Sequence, residues 1–539
     1  MISPFKNELP YDLSLPANRE KFQKIIAISN SSVEEAGQAV EKAKRSFPSW
    51  RDTSPQERAA LLFRTASIIR RRRLELAAMV LLEVHKNRQE ADADVCEAID
   101  FLEYYGREML RISAEGPEPK PVGVAAVIAP WNFPLAILTG MTAGALVTGN
   151  TVIMKPAEQS PAIALKFFEI LKEAGLPEGV VNYLPGIGEV IGDFLVKSPD
   201  IAMVAFTGSK EVGTRIASLK KRVIPEMGGK NAIIVDESAD LEAAVEGAAQ
   251  SAFGYQGQKC SACSRIILLP GVYEKFKKRF LEAVSTIKIG DLKNPENFMG
   301  PVIDNEAYQK IARYIEIGKK EARLAYQGKA PNKGCYVSPT IFGEVSPSAR
   351  IAQEEIFGPV VCLIKAKDLD EAIKIANRVP YDLTGGLFSK NPKTIERVKK
   401  EFEVGNLYIN RKITGALVEC QPFGGYRLSS LGFKAGGPEY LYQFLDLKKP
   451  VSPPPERKLP SADFQKNDSQ QAPLYKGRRE VPLKDDLREE GMRVSLFLYF
   501  NGDNLGIDLF QDYLAGKDQV SVRNRNDPNP FLIMKEFEQ

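Results

Sequence analysis

Two hydrophobic patterns alternate along the chain. Long segments place apolar residues at helical spacing, and short segments are apolar at almost every position, as in strands buried on both faces. The helical pattern covers residues 33–47, 55–84, 91–110, 160–174, 241–253, 273–287, 305–321 and 369–377. The continuous apolar pattern covers residues 122–130, 151–154, 180–184, 202–206, 231–235, 265–269 and 360–364. This alternation predicts an α/β protein with parallel, doubly wound sheets.

Distinctive turns follow four of these predicted strands, at residues 131–134, 155–158, 186–192 and 208–213. Ligands bind at the carboxyl ends of the strands in such sheets, so the turns should share one edge. The Gly186-x-Gly188-x-x-x-Gly192 turn is weak evidence alone, because structural loops often use glycine. Two glycine turns that each open a helix, close to a Lys/Glu pair suited to ribose hydroxyls, predict a dinucleotide site.

Cys260 lies on a glycine-rich turn between a predicted helix and a predicted strand, where a side chain is both held and accessible. Three interpretations stay open from this stretch. The first is that Cys260 and Cys263 are small buried residues. The second is a Cys-x-x-Cys redox pair, and the third is a nucleophilic thiol. In the third, the neighbouring Lys259 would favour the thiolate by its charge.

Composition narrows the classes of function. The 539 residues suggest more than one domain, and the net charge of +4 gives no reason to expect a nucleic acid or membrane partner. Six cysteines are too dilute for a disulfide framework. The first residues lack the features of a signal peptide, and the longest apolar run, 134–149, is too short to span a bilayer. We therefore expect a cytoplasmic protein.

The sequence contains one histidine, His85, in a polar stretch where a solvated position is expected. A Ser-His or Cys-His mechanism therefore has almost no candidate base, and a histidine metal site has no ligand set. No metal is expected. An activated thiol would have to use a carboxylate, a lysine or its local field.

Seven motifs occur in the order and spacing of the aldehyde dehydrogenase superfamily, which the chain resembles over about residues 35–447. The motifs are Pro130-Trp-Asn-Phe-Pro134, Lys155-Pro-Ala-Glu158, Phe206-Thr-Gly-Ser209, Glu226-Met-Gly-Gly-Lys230, Gly257-Gln-Lys-Cys260, Glu354-Glu-Ile-Phe-Gly-Pro359 and Pro422-Phe-Gly-Gly425. The resemblance implies an aldehyde dehydrogenase-like α/β fold with a Rossmann-type NAD-binding domain and an α/β catalytic domain.

The resemblance also implies roles for particular residues. Cys260 would be the nucleophile, Glu226 the general base, and the Asn132 amide with the Cys260 backbone N–H the oxyanion donors. The carboxylate of Glu158 favours NAD as cofactor over NADP. The residues that would bind the cofactor are Lys155, Glu158, Gly188, Gly192, Ser209, Glu355, Phe357 and Trp131.

Five further motifs narrow the resemblance: Glu90-Ala-Asp-Ala-Asp94, Glu97-Ala-Ile-Asp-Phe-Leu102, Gln258-Lys-Cys-Ser-Ala262, Tyr408-Ile-Asn-Arg-Lys-Ile-Thr-Gly-Ala416 and Gly436-Gly-Pro438. With them the chain most resembles the 1-pyrroline-5-carboxylate dehydrogenase branch of the superfamily, which oxidises L-glutamate γ-semialdehyde to glutamate in proline catabolism. The resemblance places Lys259, Ser261 and the Gly415–Ala416 backbone around the substrate carboxylate. Glu97 would face the amino group, and Phe133 would pack on the aliphatic chain. Two alternatives stay open: another semialdehyde dehydrogenase, and an inactive binding protein on the same fold.

The predicted domains are an NAD-binding domain at 1–236, a catalytic domain at 237–410 and a return segment at 411–447 that closes the site and contacts a second copy. A dimer or higher homo-oligomer is therefore expected. Residues 448–539 are a linker and tail without assigned chemistry. Within the tail, 494–500 and 505–513 are predicted to pair as a hairpin. The chain departs from the family pattern at Ser429-Ser-Leu431, where Ser-Gly-Thr is usual, and in a short N-terminal region before Val33.

Overall fold

The structure, a computed structural model, describes residues 30–115 and 120–446, and the backbone of 498–501, 504–507, 521–522 and 533–534. Two compact units divide the chain, Met1–Lys449 and Pro450–Gln539. None of the helices in the described segments is long and apolar enough to cross a membrane. The short N-terminal region expected before Val33 lies almost wholly outside the described residues.

Within the first unit, helices occupy every segment with a predicted helical pattern and several further segments. They are α1 (Val33–Arg51), α2 (Pro55–Arg71), α3 (Arg73–Val84), α4 (Arg88–Ala114), α5 (Ala136–Val147), α6 (Pro161–Glu173), α7 (Asp193–Lys197), α8 (Lys210–Ala217), α9 (Leu241–Phe253), α10 (Pro270–Ser285), α11 (Asn305–Glu321), α12 (Arg350–Gln353), α13 (Leu369–Asn377) and α14 (Pro392–Glu401). The predicted helix at 55–84 is two helices, because the chain breaks its helical geometry at Arg72.

Five parallel strands form the first sheet, in the order β4-β3-β2-β5-β6. The strands are β2 (Val124–Ile128), β3 (Thr151–Lys155), β4 (Val181–Tyr183), β5 (Met203–Thr207) and β6 (Arg222–Glu226). The chain runs outward from β2 through β3 to β4 and then returns to the other side of β2 with β5. The strand order therefore reverses beside β2, and a crevice for ligands lies at the carboxyl ends there.

Seven strands form the second sheet, in the order β13-β12-β7-β8-β11-β10-β9, and only the β9–β10 pair is antiparallel. The strands are β7 (Asn231–Val235), β8 (Cys263–Leu268), β9 (Arg323–Gln327), β10 (Thr340–Gly343), β11 (Val360–Lys365), β12 (Thr384–Phe388) and β13 (Asn406–Ile409). A short pair, β1 (Lys120–Pro121) with β14 (Leu445–Asp446), brings the end of the first unit back to its first sheet.

The two sheets are joined by a very short link. β6 ends at Glu226, and β7 begins at Asn231 in the other sheet. Residues 227–230 therefore pass from the carboxyl edge of the first sheet to the amino edge of the second. The sequence places 231–235 with the first sheet and sets a domain boundary at 236; in the structure the change of sheet comes before Asn231. The domain limits themselves stay a prediction.

His85 is an exception to the sequence-based expectation. It is 6% exposed and ends α3 in the left-handed conformation, with φ of 59°. The prediction of a solvated histidine is therefore wrong. The error arose because polar neighbours suggested solvent exposure. Lys86, the next residue, is itself buried and forms an ion pair with Asp94 at 2.8 Å.

In the second unit, the backbone of β15 (Leu498–Asn501) pairs antiparallel with β16 (Asn504–Ile507). This confirms the predicted pairing for residues 498–501 with 504–507; residues 494–497 and 508–513 of the predicted hairpin lie outside the described residues. β17 (Ser521–Val522) and β18 (Ile533–Met534) form a second antiparallel pair.

Candidate active site

The candidate nucleophile lies on a turn with an unusual backbone. α9 ends at Phe253, and the next residues form a tight turn in which Tyr255 and Gln256 both have positive φ angles, 51° and 56°. Such angles cost free energy for residues with a Cβ atom, so surrounding contacts must hold them. The Tyr255 hydroxyl donates to the Val84 carbonyl at 2.8 Å, and the Gln256 amide donates to the Pro301 carbonyl at 2.8 Å.

Gly257 completes this turn and explains one of the glycines in the motif. Its φ is 69°, and a Cβ there would lie 2.4 Å from the Gly358 carbonyl oxygen. Only glycine allows this approach, which fixes the Cys260 turn against the segment that contains Glu355 and Phe357. The sequence also predicts that Gly254, which follows the helix, takes the left-handed conformation; its φ is −55°, so this prediction is wrong.

The carbonyl of Cys260 is fixed by Asn231 at the start of β7. The Asn231 amide donates to the carbonyls of Cys260 at 2.7 Å and Ala262 at 2.9 Å. A Cβ on Gly229 would lie 2.5 Å from the same Cys260 oxygen. Asn231 and Gly229 thus hold the nucleophile turn. The sequence contained no signal for these contacts, because Asn231 reads as the first residue of a strand.

Cys260 itself is a neutral thiol. Burial, followed by the negative charges of Glu226 and Glu355, raises the pKa of Cys260 to about 12. The Lys259 ammonium does not lower this pKa, because it forms an ion pair with Glu90 at 2.6 Å. The expectation that Lys259 favours the thiolate is therefore wrong. The thiol needs a proton acceptor during attack.

Glu226, the predicted general base, lies within electrostatic range of the Cys260 thiol. It ends β6, and burial raises the pKa of Glu226 to about 8. One oxygen, Oε1, accepts a hydrogen bond from Ser430 Oγ at 2.6 Å. The other, Oε2, is buried and has no hydrogen-bond partner within the described segments. A carboxyl with a pKa close to neutral and one open oxygen suits a general base.

Asn132 lies beside the nucleophile turn and is 5% exposed. Its side-chain amide donates to the Gln258 carbonyl, two residues before Cys260, at 3.2 Å. An asparagine amide has two N–H groups. The contact fixes the amide beside the turn and leaves its second N–H free of that contact, while the oxyanion role of Asn132 stays a prediction.

Replacing Asn132 by alanine is expected to lower kcat by about 10²–10³-fold, the usual cost of removing one oxyanion donor. The change in KM should be much smaller, because the oxyanion develops after substrate binds. Steady-state kinetics measures both constants. As a control, Asn182→Ala removes another buried amide, one that binds the Gly179 carbonyl on the edge strand β4, and should leave kcat unchanged. Equal losses in both variants would contradict the oxyanion role.

The predicted cofactor residues occupy the carboxyl edge of the first sheet. Lys155 ends β3 and pairs with Glu158 at 2.9 Å. The Gly188 N–H donates to the same Glu158 oxygen, and a Cβ on Gly188 would lie 3.3 Å from it. The Glu158 side chain keeps 40% of its surface exposed. Glu158 is thus oriented by two contacts and still open to a ribose hydroxyl.

The second glycine turn provides a place for phosphate. Ser209 caps the amino terminus of α8, which is eight residues long, and backbone N–H groups at such a terminus attract anions. Asp193, directly after the Gly188–Gly192 turn, lies 3.6 Å from Arg215 of α8. The two turns are therefore neighbours. No atom lies within 4 Å of a Cβ built on Gly192, so this side is open.

Glu355 and two aromatic residues connect this edge to Cys260. Glu355 accepts a hydrogen bond from the Gly229 N–H at 2.9 Å. Trp131 packs edge-on against Phe357, with ring centroids 5.7 Å apart, and Phe357 has a φ of 61°. Because the charge of Glu355 also acts on the Cys260 thiol, the cofactor edge and the nucleophile belong to one site. These residues fit a dinucleotide.

Three of the predicted substrate residues gather beside α4. Lys86 lies 3.7 Å from the ring centre of Phe133. Burial, followed by the charge of Asp94, raises the pKa of Glu97 to about 8, and the charges of Lys86 and Lys259 oppose that rise, so both ammonium groups lie within electrostatic range of Glu97. The structure thus brings Lys259, Glu97 and Phe133 together. Ser261 is 6% exposed in the same turn.

Gly415 and Ala416 lie on a loop next to this cluster. Gly415 has a φ of 77°, and the backbone N–H of Ile413 donates to Ser251 of α9 at 3.0 Å. The charge of Lys412 lowers the pKa of Glu90, after the effects of Lys259 and Lys86. The loop therefore lies close to the Glu90–Lys259 pair. A contact of Gly415 or Ala416 with substrate stays a prediction.

Comparisons with known proteins agree with this geometry. The aldehyde dehydrogenase family profile matches residues 9–449. A protein of Geobacillus sp. (strain WCH70) named 1-pyrroline-5-carboxylate dehydrogenase is 49% identical over 455 residues, which cover 80% of this chain and 88% of the relative. A protein of Bacillus subtilis (strain 168) named 1-pyrroline-5-carboxylate dehydrogenase 2 is 48% identical over the same shares.

Solved structures are also similar. One of a Thermus 1-pyrroline-5-carboxylate dehydrogenase with bound NAD has a TM-score of 0.75 and 47% identity, covering 78% of this chain and 85% of that one. Another, of proline utilization A from Bdellovibrio bacteriovorus, has a TM-score of 0.76 and 48% identity, and here the chain spans only 46% of the other protein. From the profile, the relatives and the arrangement around Cys260, we conclude that the chain belongs to the aldehyde dehydrogenase family.

Proposed function

We propose that the protein oxidises L-glutamate γ-semialdehyde to L-glutamate with NAD, a reaction of proline catabolism. The observation that supports this substrate is the cluster around Lys86, which contains the Phe133 ring, the Glu97 carboxyl and the Lys259 ammonium that also contacts Glu90. An amino-acid aldehyde carries a carboxylate, an ammonium group and a short aliphatic chain, and each finds a counterpart there. The relatives' names indicate the same substrate.

The reaction begins with the Cys260 thiol and the Glu226 carboxylate. Glu226 accepts the thiol proton while sulfur forms a bond to the aldehyde carbon, because the thiol alone is neutral up to high pH. The carbonyl oxygen becomes an oxyanion, which accepts hydrogen bonds from the Asn132 amide and the Cys260 backbone N–H. Substrate oxidation then leaves a thioester on Cys260.

Bound NAD supplies the hydride acceptor for that oxidation. We propose that Lys155 and Glu158 bind the adenosine ribose, Ser209 the pyrophosphate and Glu355 the nicotinamide ribose. Gly188 and Gly192 allow the close approach, while Trp131 and Phe357 pack beside the nicotinamide. Glu226, once it has released its proton, then deprotonates a water molecule that attacks the thioester carbon. The carbon–sulfur bond breaks, glutamate leaves, and the thiol regains a proton.

The substrate proposal predicts strong discrimination. With NADH formation as the readout, kcat/KM for glutamate γ-semialdehyde should exceed that for an unsubstituted aldehyde of equal length by roughly 10²–10⁴-fold, because two hydrogen bonds to charged groups are lost. Glu97→Gln should reduce this ratio, since its amide is a weaker partner for the ammonium group. Glu108→Gln, which changes another carboxylate of α4, one that accepts a hydrogen bond from Arg111, is the control. Equal kcat/KM values for both aldehydes would leave the family assignment intact and contradict the proposed substrate.

We also propose that the protein is a cytoplasmic homo-oligomer. The return segment supports self-association, because it exposes three large apolar side chains, Leu417, Tyr426 and Phe433. Exposed apolar groups on one segment commonly mark a contact with another subunit. The net charge of +4 gives no reason to propose a nucleic acid or membrane partner.

A further inference from the structure

Ser430 contacts the proposed general base directly. It is 3% exposed, and its hydroxyl donates to Glu226 Oε1 at 2.6 Å. The two residues also form an antiparallel backbone bridge, and the Met227 N–H donates to the Ser429 carbonyl at 2.7 Å. The return segment is therefore fixed along the end of β6, and the Ser430 hydroxyl has a defined place beside the carboxylate.

The two oxygens of Glu226 have different surroundings. Oε1 is held by Ser430, whereas Oε2 is buried and makes no hydrogen bond with the part of the chain that the structure describes. A buried carboxylate oxygen without a partner is costly unless it serves a reactant. The negative charge of Glu226 acts on the Cys260 thiol. Oε2 is thus the atom available to take a proton.

We propose that Ser430 is a positioning residue for the general base: its hydroxyl fixes Oε1 of Glu226, directs Oε2 to the reacting atoms and favours the ionised carboxylate. The inference rests on the proposed role of Glu226 as the base.

The electrostatic surroundings of Glu226 support this role. The titratable groups that interact with it are Cys260, Lys434 and Tyr440. Burial raises the pKa of Glu226, and the Ser430 hydrogen bond, followed by the Lys434 charge, opposes the rise. Lys434 donates to the Gly405 carbonyl. Ser430 therefore supplies the direct hydrogen bond to the carboxylate, and Lys434 acts through its charge.

Removing the hydroxyl should move the pH profile. A hydrogen bond to the charged form lowers the pKa of a carboxyl, so Ser430→Ala should shift the rising limb of kcat upward by about one pH unit. At pH 7 kcat should then fall about tenfold, with KM and the NAD dissociation constant unchanged. Ser430→Thr keeps a hydroxyl and should restore the profile. Ser264→Ala is the control, because the Ser264 hydroxyl is buried without a hydrogen-bond partner in the described segments.

The experiment is the pH dependence of NADH formation by the full-length enzyme, with Glu226→Gln measured alongside. A folded Ser430→Ala variant with an unshifted limb would overturn the inference, even while an inactive Glu226→Gln variant supports the base. Full activity of Glu226→Gln would instead remove the proposed role of Glu226. If the alanine variant does not fold, Ser430→Cys, with a weaker donor, should show a smaller upward shift, and no shift would again overturn the inference.

Discussion

Replacing Cys260 by alanine is expected to abolish aldehyde oxidation, with kcat falling on the order of 10⁴–10⁶-fold. The charges of Glu226 and Glu355 act on the Cys260 thiol, and the Asn132 amide binds the turn that contains it. Without the sulfur there is neither an adduct that releases hydride nor a thioester. The measurement is NADH formation with glutamate γ-semialdehyde, together with calorimetric NAD binding, which the variant should keep.

Cys263→Ser is the matched control for this result. Cys263 begins β8, is 2% exposed, and its sulfur donates to the Arg265 carbonyl at 3.4 Å. It is therefore part of the sheet core, and the serine variant should keep full activity. Loss of activity in Cys263→Ser, with thiol-dependent cycling between the two cysteines in the wild type, would support the redox pair instead. Activity in Cys260→Ala would contradict the nucleophile assignment outright.

Replacing Glu226 by glutamine should lower kcat by about 10²–10⁴-fold, the usual contribution of a general base. The amide keeps the shape of the side chain and still accepts the Ser430 hydrogen bond, but it cannot take a proton. Both thiol attack and thioester hydrolysis should slow, so the first turnover and the steady state both fall. Rapid mixing with NADH detection separates the two phases.

The pH dependence of kcat tests the same role of Glu226. Burial raises the pKa of Glu226 to about 8, so the carboxyl is protonated and inactive as a base below that value. Wild-type kcat should rise as pH increases through about 8, and the glutamine variant should lose this limb. Glu246→Gln changes an exposed carboxylate on α9 that contacts Gln250 and should leave the profile unchanged. If the rise of kcat with pH persists in Glu226→Gln, a group other than Glu226 is responsible for that titration.

Strands buried on both faces were the most predictable part of the fold. Their residues are apolar at nearly every position, as in Asn231–Val235 and Val360–Lys365, because both faces of a parallel sheet are covered. β6 was not predicted, because Arg222 and Pro225 interrupt its apolar run. β12 was also missed, because its Thr-Gly-Gly sequence resembles a turn. Pairing with the neighbouring strands, and not a local hydrophobic pattern, places β6 and β12 in their sheets.

The sequence by itself determined the chemistry that the chain can perform. One thiol on a glycine turn, one carboxylate, one amide and almost no histidine restrict the mechanism, and the spacing of the motifs indicates the family. These are properties of residue identity and local backbone preference, which short segments carry without help from the rest of the chain.

Only the tertiary structure decided where those groups point. Lys259 is next to Cys260 in sequence, yet its ammonium pairs with Glu90 of α4, 169 residues away. Ser430 is 204 residues from Glu226 and still holds its carboxylate. Neighbours along a turn point in different directions, so adjacency does not give an electrostatic partner. Partners, burial and hence pKa values depend on which distant segments pack together, and that is set by the whole fold.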